Sequence, residues 1–131
     1  MSRLKIAVDF DGTLCKHRYP EIGEELPKGI EFLKNLRELG VQVYLDTMRC
    51  GKELEEAIKW CKDRGLEFDS IGPHITQRRW TTSPKCHADY EIDDRSCFGD
   101  LISYDELDRP YVNWINLIQD FTARLKREGW L

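Results

Sequence analysis

The spacing of apolar residues predicts that strands and helices alternate along the first half of the chain. Short β-branched runs predict buried strands at residues 4–8, 41–45 and 68–71. Apolar residues at helical spacing predict helices over 27–40 and 53–64, each stopped by a glycine. Because crossovers between such strands are right-handed, this order predicts a parallel sheet covered by helices on both faces.

The second half of the chain continues this pattern less regularly. A long loop is predicted at 72–84, a strand at 88–92 and a further strand at 98–104. Pro110 is predicted to open a last helix. The apolar stripe of that helix consists of Trp114, Leu117, Ile118, Phe121 and Leu125. The fold class expected from the whole pattern is α/β, a three-layer α/β/α sandwich with a Rossmann-like parallel sheet, formed by a single domain over residues 1–131.

Composition narrows the class of protein. The chain has 131 residues, 40% of them hydrophobic, which is too many for a disordered chain. Its 20 Lys+Arg and 24 Asp+Glu give a net charge of −4, so the overall field does not favour binding to nucleic acid. No apolar run approaches the roughly 18 residues of a membrane span, so no membrane association is expected. The 5 cysteines form no Cys-x-x-Cys pair, which favours reduced thiols and a cytoplasmic location.

Polar clusters follow the predicted strands where the sheet should end. Asp9 and Asp11 come directly after the first strand, and Gly12 allows the chain to turn there. Because the carboxyl ends of parallel strands meet at one crevice, the later clusters should lie near them. These clusters are Thr47-x-Arg49, Lys85 and Asp93-Asp94. Gathered carboxylates repel each other, and a lysine and a divalent cation such as Mg²⁺ would relieve the repulsion. The set therefore has the composition of a phosphoryl-transfer site.

These motifs, in this order, resemble those of the haloacid dehalogenase superfamily of phosphatases. The resemblance spans residues 4–98 and is strongest in small members that lack a cap domain. It implies a haloacid dehalogenase-like core without a cap, because little chain separates one motif from the next. The four motifs of the resemblance are Asp9-x-Asp11-Gly12-Thr13, Thr47, Lys85 and Asp93-Asp94.

The resemblance also implies a role for each matching residue. Asp9 is expected to attack phosphorus and form an aspartyl-phosphate. Asp11 is expected to act as general acid and base, with its backbone carbonyl on Mg²⁺. Thr47 and Lys85 are expected to bind the phosphoryl group and offset its charge, with Gly12 beside them.

Two assignments stay open from the sequence. The metal set implied by the resemblance is Asp9, Asp11 and the fourth motif, in which Asp94 is favoured over Asp93 as the direct ligand. Arg49 either forks onto the substrate phosphate or forms a surface salt bridge. Asp46, directly before the second motif, has no explanation at the level of sequence.

The regions around these motifs allow further contacts. Residues 12–27, called the flap below, form a loop in which His17 and Arg18 either meet substrate or are solvated. Residues 70–88 contain no acid, and their cations would give one side of the site a positive rim. Those cations include His74, Arg78, Arg79 and Lys85.

The expected activity is that of a Mg²⁺-dependent phosphomonoesterase. The alternative is a non-catalytic phosphate-binding or receiver-like regulatory module. Chain order favours the enzyme, because receivers carry the phosphorylated aspartate after the third strand and the lysine last. The substrate stays open among sugar phosphates, nucleotides, phosphorylated nucleic-acid ends and phosphoproteins, and oligomeric state is not readable from the sequence.

Overall fold

Four parallel strands form the sheet that carries the motifs. The computed structural model describes residues 4–73, 75–95 and 101–131. The strands are β1 (Lys5–Val8), β2 (Gln42–Leu45), β3 (Ser70–Ile71) and β4 (Tyr90–Ile92), in the spatial order β3-β2-β1-β4. All three pairings are parallel, so the predicted α/β class and parallel sheet are confirmed.

The register of the sheet places three carboxyl groups side by side. Val8 of β1 lies opposite Leu45 of β2 on one side and Ile92 of β4 on the other. The next residue of each strand is an aspartate. We call these three residues, Asp9, Asp46 and Asp93, the carboxylate row. The chain also reverses its direction of travel across the sheet at β1, and ligand crevices in open α/β sheets form at such reversals.

Three helices pack through aromatic side chains. They are α1 (Gly29–Glu38), α2 (Gly51–Asp63) and α3 (Trp114–Arg127). Phe32 of α1 lies 6.1 Å from Trp114 of α3, between ring centroids. Trp60 of α2 meets Phe10, directly after β1, edge-on at 5.4 Å. The three predicted helices are therefore present, and α2 packs against the first motif itself. No helix in the described part of the chain is long and apolar enough to cross a membrane.

The region before α3 differs from the sequence prediction. Pro110 does not open the helix: it starts β6 (Pro110–Val112), which pairs antiparallel with β5 (Ile102–Tyr104). Proline is tolerated at the first residue of an edge strand, and the helix instead begins after Asn113, whose side chain accepts a hydrogen bond from the Asn116 amide. The strand predicted at 98–104 is present from Ile102, and its residues 98–100 lie outside the described ranges.

The flap contains no helix or strand, as predicted for residues 12–27. Backbone hydrogen bonds join its two sides, from the Lys16 amide to the Glu24 carbonyl and from the Leu26 amide to the Leu14 carbonyl, both 2.9 Å. Arg18 extends from it to Asp105 in the turn between β5 and β6, at 3.0 Å. The flap is thus closed by its own hydrogen bonds and held to the hairpin. In the predicted loop at 72–84, the structure has a 3-10 helix at Ile75–Arg79.

Candidate active site

A cavity of about 570 Å³ opens at the carboxyl end of the sheet. Its lining includes residues from the first, second and fourth motifs of the sequence. These are Asp9, Asp11, Thr47, Arg49, Asp93 and Asp94. His17, Tyr19, Met48 and Arg95 complete the lining. We call this space the site cavity. It lies beside β1 and β4, where the chain reverses its direction across the sheet.

Asp9 lies half-buried at the floor of the site cavity. Burial, together with the charges of Asp94, Asp11 and Asp93, raises its pKa to about 7 against the opposing effect of the Phe10 amide. That amide donates to Asp9 Oδ1 at 2.7 Å. The strand therefore fixes the carboxyl group in a partly dry place surrounded by like charge, where a bound cation would stabilise its ionised form.

Asp11 is clamped by a buried arginine. Arg49 Nε donates to Asp11 Oδ2 and Arg49 Nη2 donates to Asp11 Oδ1, both at 2.8 Å. The side chain of Arg49 is only 1% exposed. Two parallel hydrogen bonds of this kind fix the plane of a carboxylate as well as its position. The second carboxyl group of the first motif is thus oriented by the second motif.

The other donors of Arg49 bind the backbone. Nη1 donates to the carbonyls of Pro20 and Glu53, and Nη2 donates to the carbonyl of Glu21. The rings of Phe10 and Tyr19 lie 5.0 and 5.1 Å from the guanidinium carbon. All five N–H donors of a guanidinium are therefore used. Arg49 does not form a surface salt bridge: it is buried and braces Asp11 and the flap, and binding a phosphate would require some of these bonds to break.

Thr47 and Gly12 provide the hydroxyl and the tight turn of the site. Thr47 Oγ1 accepts from the Arg49 amide at 3.1 Å, so its hydroxyl hydrogen is available to another acceptor. Gly12 has φ of +79°, and a Cβ there would lie 2.3 Å from His17 Nε2 and 2.7 Å from Asp94 Oδ2. Glycine at this position therefore leaves room for two side chains of the site.

His17 is a site residue that sequence reasoning did not favour. Its Nε2 lies 2.7 Å from Asp94 Oδ2, although 77 residues separate the two in the chain. The side chains are 24% and 10% exposed, respectively. The flap thus reaches the fourth motif through His17 and the first motif through Arg49. A histidine in a loop of mixed composition carries no signal of such a distant partner.

Lys85 does not line the site cavity. Its side chain is exposed. Burial and the charge of Asp93 raise the pKa of Asp46, and the charge of Lys85 partly offsets this rise. Of the other cations predicted to form a positive rim, Arg78 and Arg79 are exposed, and His74 lies outside the described residues. The structure thus separates the third motif from the other three.

The donors at the cavity fit a hard divalent cation in chemistry. Asp9 and Asp94 carry carboxylate oxygens, and the backbone carbonyl of Asp11 is of the same kind; Mg²⁺ prefers such ligands and retains waters. Within the described residues, no three His, Cys, Asp or Glu side chains lie close enough to hold an ion together. The expected ligands are the side chains of Asp9 and Asp94 and the backbone carbonyl of Asp11, with Asp93 next to Asp94. This set does not require three acidic side chains to lie together.

The fold and the site together define an α/β protein with a polar crevice at the end of a parallel sheet. No family model and no curated protein matches the chain. A solved structure of a conserved protein coded by a locus from Bacteroides thetaiotaomicron is 45% identical in sequence, over 72% of this chain and 78% of that one, with a TM-score of 0.67. The chain belongs to the same family as that conserved protein. That description assigns no activity to the relative.

Proposed function

We propose that the chain is a Mg²⁺-dependent phosphomonoesterase of the haloacid dehalogenase type, working through an aspartyl-phosphate on Asp9. The observation that carries the proposal is the arrangement at the site cavity. A half-buried carboxyl group at the end of the central strand is flanked by a clamped second carboxyl, a free threonine hydroxyl and an acidic pair. This combination supplies a nucleophile, a proton carrier and a phosphoryl contact within one crevice.

Asp9 and Asp11 would share the two chemical steps. In the first, an Asp9 oxygen attacks phosphorus, the bond from phosphorus to the ester oxygen breaks, and Asp11 gives its proton to that oxygen. In the second, water attacks phosphorus and gives a proton to Asp11, and the bond to Asp9 breaks to release phosphate. Each Asp11 oxygen keeps a lone pair beyond its bond to Arg49, so proton transfer does not require the clamp to open.

Thr47 and the metal ligands would hold the transferring group. The Thr47 hydroxyl hydrogen is free to donate to a phosphoryl oxygen, because the Arg49 amide occupies the oxygen from the other side. Asp9, Asp94 and the carbonyl of Asp11 would hold Mg²⁺, with Asp93 next to Asp94. When bound, the cation would offset the negative charge of the carboxylates and of the phosphoryl group. His17 is placed to fix Asp94 by hydrogen bonding.

We also infer a single haloacid dehalogenase-like core with three layers and no cap. The described chain between Asp11 and Thr47 consists of the flap, α1 and β2, and that between Thr47 and Lys85 consists of α2, β3 and the 3-10 helix. Neither stretch holds a further folded unit in its described residues. Free thiols at Cys15, Cys50, Cys61 and Cys86 support a reducing, cytoplasmic setting.

The experiment that tests the function is hydrolysis of an aryl phosphate and of a panel of phosphomonoesters. We expect turnover with Mg²⁺ that is lost with a chelator and restored by added Mg²⁺. Asp11→Asn should slow the proton-dependent steps while leaving Mg²⁺ affinity within about threefold. A folded wild-type protein that hydrolyses no member of the panel would favour the non-catalytic phosphate-binding alternative.

A further inference from the structure

Two large side chains give the polar site cavity an apolar surface. Among the described residues that line the cavity, Tyr19 and Met48 are the ones with extended apolar side chains, and the others are ionisable or bear an aliphatic hydroxyl. They are 57% and 97% exposed, respectively, so they lie on the open side of the cavity, whereas Asp9 is half-buried at its floor. A single exposed apolar side chain is ordinary on a protein surface. Two that line the same polar crevice form a surface for an apolar part of a ligand.

One buried arginine fixes both of these residues. The ring centroid of Tyr19 lies 5.1 Å from the guanidinium carbon of Arg49. The same guanidinium donates to the carbonyls of the two residues that follow Tyr19, at 3.2 and 2.8 Å. Met48 lies in the turn that Thr47 Oγ1 closes on the Arg49 amide, at 3.1 Å. Because both residues share this buried support, a ligand that packs on them pays little to order the backbone that carries them.

The polar side chains that link the flap to the site already have partners. His17 Nε2 lies 2.7 Å from Asp94 Oδ2, and Arg49 donates to Asp11 and to backbone carbonyls. A leaving group rich in hydroxyls would have to displace such bonds to gain its own. An aromatic ring needs apolar contact instead, since a tyrosine ring stacks on another ring and a methionine thioether packs against ring edges. The chemistry of the surface therefore favours a planar aromatic ring.

The site cavity has room for such a ring beyond the phosphoryl group. Its volume of about 570 Å³ lies in the range that holds a drug-sized organic molecule. The described chain between the first and second motifs holds no further folded unit that could enclose the leaving group. The walls around the leaving group must therefore come from the core itself, and the flap and the loop before α2 supply them through Tyr19 and Met48.

We propose that Tyr19 and Met48 form the leaving-group subsite, and that the substrate is a phosphomonoester whose leaving group carries a planar aromatic ring packed against them. The proposal rests on the proposed phosphohydrolase function, in which the phosphoryl group lies at Asp9. A nucleoside monophosphate and a phosphate ester that bears a benzene ring share this chemistry. Tyr19 and Met48 determine specificity and take no part in proton or phosphoryl transfer.

Matched substrates separate the ring from the reactivity of the ester. Phenethyl phosphate and cyclohexylethyl phosphate both release a primary alcohol, and only the first carries a planar ring. Adenosine monophosphate and the same ribose phosphate without its base form a second pair. We expect kcat/KM to be at least about fivefold higher for the aromatic member of one pair, and the pair with the larger ratio identifies the source of the ring. Ratios near one in both pairs would overturn the proposal.

Variants locate the preference in the subsite. Tyr19→Leu and Met48→Ala should each reduce the ratio to below about twofold, whereas Tyr19→Phe, which keeps the ring, should retain it. Tyr104→Leu and Leu39→Ala are the matched controls, because these residues are 61% and 69% exposed and neither lines the site cavity. Both controls should keep the wild-type ratio. A ratio that survives both Tyr19→Leu and Met48→Ala would overturn the subsite.

Binding without turnover separates the subsite from the proposed function. Phenethylphosphonate and cyclohexylethylphosphonate cannot be hydrolysed, and calorimetry with Mg²⁺ present measures their affinities. We expect a Kd at least about fivefold lower for phenethylphosphonate in the wild type, and a difference below about twofold in Tyr19→Leu. This result in a wild type that hydrolyses no phosphomonoester would overturn the function and support the subsite. Equal affinities for the folded wild type, or binding of neither phosphonate, would overturn the subsite.

Discussion

Asp9, the proposed nucleophile, lies in an unfavourable charge environment. Burial and three neighbouring aspartates raise its pKa from 3.8 to about 7. A carboxyl group with a raised pKa in the folded state favours folding only while it is protonated, so its contribution to stability falls as pH rises from about 4 to about 7. Without divalent cations, the site therefore opposes folding at neutral and alkaline pH.

Asp9→Asn should consequently stabilise the metal-free protein at pH 8. We expect the free energy of unfolding to rise by up to about 4 kcal/mol, since each unit of pKa is worth about 1.4 kcal/mol. At pH 4 the same change should have little effect, because Asp9 is already protonated in the folded state. Urea unfolding with a chelator present measures both. A destabilised Asp9→Asn variant at pH 8 would contradict the charge environment described.

Arg49 should carry a large share of local stability. Arg49→Met leaves Asp11 without its clamp and three carbonyls without donors, so we expect a loss of about 3 kcal/mol in the free energy of unfolding. Arg37 offers a matched control, because it also binds an aspartate, Asp69, through two nitrogens, but at the surface. Arg37→Met should cost at most about 1 kcal/mol. Equal losses in urea unfolding would show that burial of the Arg49 clamp is unimportant.

The residues of the site differ in how far the sequence could predict them. The proximity of Asp9 and Asp93 could be predicted, because each residue directly follows a strand and a parallel sheet brings the carboxyl ends of its strands together. The partners of Arg49 and His17 depend on the path of the flap, which brings together residues 38 and 77 positions apart. Hydrophobic periodicity does not specify the path of a loop. The contacts of Arg49 with Asp11 and of His17 with Asp94 could therefore not be predicted from it.

Among the elements, α3 shows how a local signal can mislead. Pro110 resembles a helix start, and its fixed φ also suits the start of a strand, which is the role it has in β6. The signal that does mark the helix is Asn113, since asparagine favours the position before the first turn. The strands and helices with strong periodicity were predicted well, whereas the hairpin of β5 and β6 depends on pairing between short segments.

The cap of α3 gives a measurable prediction. Asn113→Ala removes the bond that its side chain accepts from the Asn116 amide, and should lower the free energy of unfolding by about 1 kcal/mol. Asn113→Asp retains an acceptor and should cost less than half as much. Chemical denaturation of the two variants provides the comparison. An equal loss in both would mean that the side-chain acceptor does not stabilise the helix.

The contact between the hairpin and the flap predicts a pH dependence. The Arg109 amide, together with Arg18 and the Leu107 amide, lowers the pKa of Asp105 from 3.8 to about 2. A carboxyl group whose pKa is lowered in the folded state stabilises the fold at any pH above its ordinary pKa. This stability is lost as pH falls from about 4 to about 2.

Asp105→Asn should therefore lower the Tm at pH 6. The difference in Tm from the wild type should shrink steadily below pH 4, because protonation removes the same charge from the wild type. Thermal unfolding between pH 2 and pH 6 measures this. A difference that stays constant over that range would show that Asp105 does not hold the flap through its charge.

At the scale of the whole molecule, the topology of the sheet concentrates negative charge at the carboxyl ends of its strands. The spatial order of the strands places β1 between β2 and β4, so three aspartates from distant parts of the chain form the carboxylate row. Part of the net charge of −4 is thus concentrated where the proposed cation and the phosphoryl group would bind. The order of motifs along the sequence predicted that Asp9 and Asp93 converge, but not that Asp46 lies in the same row.

The central claim is that Asp9 is the nucleophile of a phosphohydrolase. The most direct test is the rate of Mg²⁺-dependent hydrolysis of an aryl phosphate by the wild type and by Asp9→Asn, at equal folded concentration. We expect turnover by the wild type and a loss of at least about 1,000-fold in the variant, because the amide of asparagine is a far weaker nucleophile than the carboxylate that it replaces. Turnover by Asp9→Asn within tenfold of the wild type would contradict the account.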